Sequence, residues 1–205
     1  QDTIFPEVPD AVVDVQWFMH FLSLRTTKEG HPLTALLGIP HAEGGGWFRI
    51  PWAAFNETSL PETSSDGHPA DWQRAWHGSK LEALYSIIYQ GGLTASCNPA
   101  RGHRFFGAAP GVYVHKDKAR DKVLFYTRFV PLCNDGVYWC AKWELLVDRS
   151  DRVAVGKLKT DQWVQHERSV HLVALWVCGR TYADMEEGAE LQQVWDPLLE
   201  ANPRS

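Results

Sequence analysis

The sequence predicts an α+β fold, and three observations predict it. Residues 79–90 carry apolar side chains at helical spacing. Short β-prone runs stand at residues 112–114, 137–147 and 170–177. Their order, strand, helix, strand, helix and then several strands, is that of an α+β chain.

Taken in order, residues 10–24 carry apolar groups at Val12, Val13, Val15, Trp17, Phe18, Phe21, Leu22 and Leu24. That spacing fits helix and strand about equally, and we read it as helix. Residues 26–69 are rich in glycine and proline, contain Gly44-Gly45-Gly46 and the polar run 61–67, and read as irregular and exposed. A boundary at 67–69 then separates an N-terminal extension (residues 1–69), free to pack on the core, from a better patterned domain (70–182) and a C-terminal tail (183–205). Ser79 stands as the N-cap of a helix containing Leu81, Leu84, Tyr85, Ile87 and Ile88, with Glu82 three residues on and Gly91-Gly92 as its end. Pro110-Gly111 introduces the strand Val112-Tyr113-Val114, and a Lys/Asp-rich stretch up to 126–129 is predicted helical. Residues 137–147 alternate as a long strand, and 170–177 read as a buried one.

Composition bounds the function. A chain of 205 residues buries a core without a staple. Its net charge of −5 favours neither nucleic acid nor an anionic membrane as the default partner. Cys97, Cys133, Cys140 and Cys178 form no Cys-x-x-Cys pair and follow no signal peptide, which predicts reduced thiols in an intracellular compartment, cytoplasmic or nuclear. Apolar runs stop well short of the roughly 20 residues that a membrane helix needs. His20, His31, His41 and His68 lack ligand spacing, so no metal is expected. The charged run 148–152 reads as an exposed turn. Packing accounts for most of the ten tryptophans, although Trp17, Trp47 and Trp52 are candidates to cap a site.

Two short motifs hold the chemistry. In Trp76-His77-Gly78-Ser79, the histidine stands at the predicted helix entrance, where backbone donors attract polar or anionic groups. On position alone, a hydrogen-bonded structural histidine is the plainer reading. In Gly111-Val112-Tyr113, the glycine permits close approach of a backbone or a ligand, and the tyrosine offers a ring with a polar tip.

Their order, followed by Tyr126, resembles the poly(ADP-ribose) polymerase-like ADP-ribosyltransferases over about residues 76–178. The resemblance implies split mixed or antiparallel sheets with flanking helices. It also implies a nicotinamide pocket in which His77 and Ser79 meet a ribose, Gly78 holds the nicotinamide amide, and Tyr113 and Tyr126 stack on the ring. The family's catalytic glutamate falls on Gln162 when Asp161-Gln162-Trp163-Val164 is aligned, with Glu167 the nearest carboxylate as the alternative. Glutamine binds a hydroxyl but cannot act as a base. The implied activity is therefore transfer of one ADP-ribose unit from NAD, as substrate, to an unknown protein or nucleic-acid acceptor. A catalytically inactive NAD or ADP-ribose binding module and an RNA 2'-phosphotransferase-like enzyme are the alternatives. Arg101, His103 and Arg104 are the cations available for a pyrophosphate, or else a solvated basic loop.

Overall fold

The computed structural model describes residues 13–95, 110–132, 136–155 and 161–187. Its first element, α1 (Val15–Ser23), is set by Asp14, whose side chain accepts a hydrogen bond from the Gln16 amide at 2.8 Å. Val15, Phe18 and Leu22 fall on one face at spacings of three and four and are buried, which resolves the helix or strand ambiguity.

Part of the stretch expected to be irregular is ordered sheet. Strands β1 (His41–Gly44) and β2 (Trp47–Pro51) form a hairpin whose turn glycines Gly44, Gly45 and Gly46 all have positive φ. Those glycines, read as a sign of irregular chain, serve one reversal that residues with Cβ atoms rarely adopt. Beyond the hairpin, β2 pairs with the strand Val170–Thr181, and Leu33, Leu37, Ile50 and Trp52 are buried in the main core. The N-terminal segment therefore supplies part of that core.

The remaining strands are β3 (Trp72–Ser79), β4 (Val112–Lys116), β5 (Val130–Pro131), β6 (Val137–Asp148), β7 (Arg152–Val155), β8 (Gln162–Gln165) and β9 (Val170–Thr181). Among the described residues they join in one sheet, ordered β1-β2-β9-β6-β3-β4-β8-β7, with β5 alongside β6, and every pairing is antiparallel. With α1, α2 (Leu81–Gln90) and α3 (Tyr182–Glu187), the chain is α+β. No helix of the described residues is long and apolar enough to cross a membrane.

Alternation along β6 divides the sheet's faces. Trp139, Ala141, Trp143, Leu145 and Val147 join Phe18 and Leu22 of α1 and Leu84 and Ile88 of α2 in the main core. Each such large side chain contributes about 1.5–3 kcal/mol by leaving water. On the opposite face the same strand carries Lys142 and Glu144, both buried. The Lys142 ammonium lies 4.2, 5.0 and 5.5 Å from the ring centroids of Trp47, Trp76 and Trp176, and burial draws its pKa down. Glu144 accepts from Arg49 Nε at 2.8 Å and Trp176 Nε1 at 2.9 Å, with Arg74 Nε 3.3 Å away.

Two local expectations are corrected. Ser79 is not the cap of α2: it still pairs with Ala141 in the β3–β6 ladder, so the cap falls on Lys80, which makes no side-chain capping bond. Gly91, at φ 73°, does end that helix. Nor is Asp148 exposed, because it accepts from the Asp71 amide at 2.9 Å and caps the turn Arg149–Asp151 through the Ser150 amide at 3.0 Å.

Replacing Glu144 by leucine leaves the Arg49 and Arg74 guanidinium groups and the Trp176 N–H without their acceptor. Arg74 reaches water, which moderates the effect, so a loss of about 2–3 kcal/mol is expected. Urea unfolding at pH 7 measures it, and a variant as stable as the parent would refute the structural role of the cluster.

Candidate functional site

Strands β3 and β4 pair only at Ala75↔Lys116 and Trp76↔His115. Beyond Trp76 they separate, while β3 continues to pair with β6 through Ser79. Across the gap, His77 Nδ1 lies 2.8 Å from the Tyr113 carbonyl oxygen. A carbonyl only accepts, so Nδ1 carries the proton and Nε2 presents a lone pair. Burial holds the His77 pKa below its ordinary value, against the smaller opposing effect of that hydrogen bond, and keeps the ring neutral.

A cavity of about 800 Å³ occupies the divergence. It is lined by the predicted His77, Gly78, Ser79, Tyr113, Tyr126 and Gln162, together with Gly111. Glu167 stands elsewhere and accepts from the Ala95 amide, so of the two alternatives for the third position Gln162 is the cavity residue. Trp17 is exposed on α1, Trp47 lies over Lys142, and Trp52 meets Trp143 edge-on in the core, so none of these caps the cavity. Arg101, His103 and Arg104 lie outside the described residues, as do Cys97 and Cys133. Cys140 and Cys178 face one another across β6 and β9.

Close approach explains both glycines. A methyl at Gly78 would stand 2.2 Å from the Val123 carbonyl oxygen and 3.1 Å from Tyr126 Cβ. The 3-10 segment Asp117–Tyr126 therefore crosses directly over the end of β3. Its placement is fixed by Trp76 Nε1 donating to Asp117 at 2.8 Å and by Lys122 and Lys118 pairing with Asp161 ahead of β8. At Gly111 a methyl would meet Val164 Cγ1 at 2.6 Å and the Gln165 carbonyl at 2.9 Å, so the close neighbour is strand β8, by a side chain first and then by its backbone. Tyr113 keeps its phenol protonated, since burial raises its pKa.

Sequence reasoning missed His115, Lys80, Phe125 and Arg128, all of which line the cavity. His115 is buried beside Tyr126, with ring centroids 5.5 Å apart, and opposite Gln162 in the β4–β8 ladder. Its pKa is lowered by burial first, then by His77 and Lys122, with Asp161 opposing. Alternation was the available signal, because two residues beyond Tyr113 on a strand lies on the same face. Lys80 and Arg128 are exposed cations, and Phe125 is an exposed ring 80 % accessible.

Chemically the cavity offers hydroxyl and imidazole hydrogen-bonding groups, aromatic faces and two cations, with Glu82 as a carboxylate on α2. Among the described residues no cluster of three or more His, Cys, Asp or Glu could hold a metal ion. No protein-family model and no curated protein matches the chain.

Two outcomes test this geometry. Gly78→Ala forces the 3-10 segment outward and should cost about 2–4 kcal/mol, whereas His77→Ala, which loses one hydrogen bond facing an open cavity, should cost about 1 kcal/mol. Chemical denaturation of the two variants checks the order, and equal losses would contradict it. Acid behaviour gives the second. His77, His115 and His171 all have pKa values lowered chiefly by burial, so the unfolded chain binds protons that the folded chain refuses. Stability is therefore full above the unfolded histidine value of about 6.5 and falls as pH drops through it. Asp151, whose carboxyl Arg168 holds below its usual range, adds stability that is lost only at lower pH, as the carboxyl takes up a proton. Urea midpoints at pH 8, 6.5 and 5 measure the effect, and a flat profile over that range would overturn it.

Proposed function

We propose that the cleft between β3 and β4 binds NAD and transfers a single ADP-ribose unit from it to an acceptor, in the manner of the ADP-ribosyltransferases that the motifs resemble. One observation carries the reading. The point where the two strands part gathers His77, Gly78, Ser79, Tyr113, Tyr126 and Gln162 around a single cavity of about 800 Å³, a size suited to a small-molecule ligand.

The residues have distinct roles in this reading. His77, with its lone pair on Nε2, accepts from a ribose hydroxyl. Tyr113 and Tyr126 contact the nicotinamide ring, while the backbone of Gly78 meets its amide. Lys80 and Arg128 are the described cations available to the pyrophosphate. In the reaction the bond from ribose C1 to the nicotinamide nitrogen breaks, and its electron pair leaves with neutral nicotinamide. A lone pair of the acceptor forms the new bond to C1, and the acceptor's proton passes to solvent. Such a reaction proceeds largely by orientation and by stabilising positive charge on the ribose, so a neutral Gln162 that accepts from a ribose hydroxyl is compatible with slow single transfer.

The absence of a carboxylate at Gln162 also favours a second reading, a module that binds NAD or ADP-ribose without turning it over. Calorimetric titration with NAD, combined with chromatographic detection of released nicotinamide, separates the two. Saturable binding with nicotinamide release supports the transferase. Binding without release replaces it with the module, and no binding overturns both. His77→Ala is expected to weaken binding about tenfold, equivalent to one hydrogen bond to a buried ring.

A further inference from the structure

Two polar atoms of residues lining the cavity, Ser79 Oγ and His115 Nδ1, are buried without a hydrogen-bond partner among the described residues. A buried polar atom left unmatched costs about 1–3 kcal/mol, which marks a position that a ligand or a bound water completes. His115 is 2 % exposed, and its other ring nitrogen, Nε2, lies 3.4 Å from Gln162 Nε2. An amide nitrogen only donates, so His115 Nε2 takes the accepting role and the ring proton sits on Nδ1. The Gln162 side chain makes no other hydrogen bond among the described residues, and it lines the cavity.

We propose that His115 is the positioning residue of the cleft: its Nε2 holds the Gln162 amide nitrogen, so that the Gln162 carbonyl oxygen faces the cavity as the acceptor for a hydroxyl of the bound ligand. Without that ring, the two ends of the amide are nearly equivalent in shape, and nothing selects the carbonyl over the N–H2. The arrangement gives the cleft a fixed acceptor in the place where the related enzymes carry a carboxylate. Groups facing the imidazole come from each packed element: His77 from β3, Lys122 and Tyr126 from the 3-10 segment, and Asp161 and Gln162 from the start of β8. With Lys122 already paired to Asp161, the surroundings favour a neutral ring. The ligand hydroxyl is identified as a ribose hydroxyl on the strength of the NAD reading above; the His115–Gln162 pairing itself does not depend on it.

The experiment therefore has two arms. In the ligand-free protein, two-dimensional nitrogen NMR of the imidazole reports which ring nitrogen of His115 is protonated. The Nδ1–H form is expected, its signal shifting in Gln162→Leu, and an Nε2–H form overturns the proposal whether or not NAD binds. In the second arm NAD is the probe. His115→Phe keeps the ring volume without an acceptor and should weaken NAD binding about tenfold, or lower kcat about tenfold at little changed KM if turnover is measured. His115→Gln, which returns an oxygen acceptor near the Nε2 position, should remain within about threefold of the parent. In a Gln162→Leu background His115→Phe should have no further effect, since one residue acts through the other. Equal effects of His115→Phe in both backgrounds would overturn the positioning role. Failure of the parent to bind NAD would sink the functional reading while leaving the tautomer arm to decide the pairing.

Discussion

The separation of β3 from β4 after Trp76 and His115 is the constraint on which the rest of the site depends. A strand that continued in register would fill its own hydrogen bonds and leave no room for a ligand. Here β3 stays bound to β6 as far as Ser79 while β4 turns to β8, so one side of β3 is released without loosening the other. The His77 ring, hydrogen-bonded to the Tyr113 carbonyl, ties the parted strands at a fixed distance. It replaces a ladder bond with a side-chain bond and leaves one imidazole nitrogen for the cavity.

Why the parting strand is rigid follows from the opposite face of the sheet. Lys142 pairs directly with Gly78 across β3 and β6, and Glu144 pairs with Trp76. The three indoles around Lys142 and the donors around Glu144 fix both residues within the sheet. Two buried charges are a poor source of net stability, because desolvation offsets much of their attraction. Their effect is on specificity of packing: a charged group that fits only one arrangement of tryptophans and arginines fixes the register of β2, β9, β6 and β3 together. Trp76 belongs to both systems, meeting Lys142 with its ring and donating to Asp117 with its N–H. The 3-10 segment over the cavity is thereby hung from the same strand that frames it.

Much of this was legible in the sequence, for identifiable reasons. The strands at 137–147 and 170–177 and the helix ending at Gly91 follow from periodicity and a left-handed glycine, signals internal to each element. The hairpin at 41–51 did not, since Gly44-Gly45-Gly46 resembles a flexible linker until the strand on either side is paired. Ser79 has the chemistry of a cap, but tertiary pairing with Ala141 held it in the strand. Gly111 was legible as a site of close approach and Gly78 only as a ligand contact that the resemblance implies, and only the fold identifies the groups that approach them as β8 and the Val123 carbonyl. His115 could have been found by alternation from Tyr113. Its burial, and its contact with Gln162, depend on a β4–β8 ladder that no local pattern encodes.

The same ladder explains how Gln162 can present a directed acceptor without carrying a charge. An ionised glutamate at position 162 would face the His115 ring where Gln162 is now 5 % exposed, and burial without a cation in contact would raise its pKa. Glutamine carries a similar acceptor without that desolvation cost, but its amide has two ends, and an acceptor is useful only if the carbonyl end is the one presented. A neutral imidazole opposite it, protonated on Nδ1 and accepting through Nε2, supplies the missing direction. The neutral side chain and its buried histidine partner are therefore linked in physical terms: a carboxylate has two equivalent oxygens and needs no orienting, whereas an amide presents its carbonyl only when a partner holds its other end.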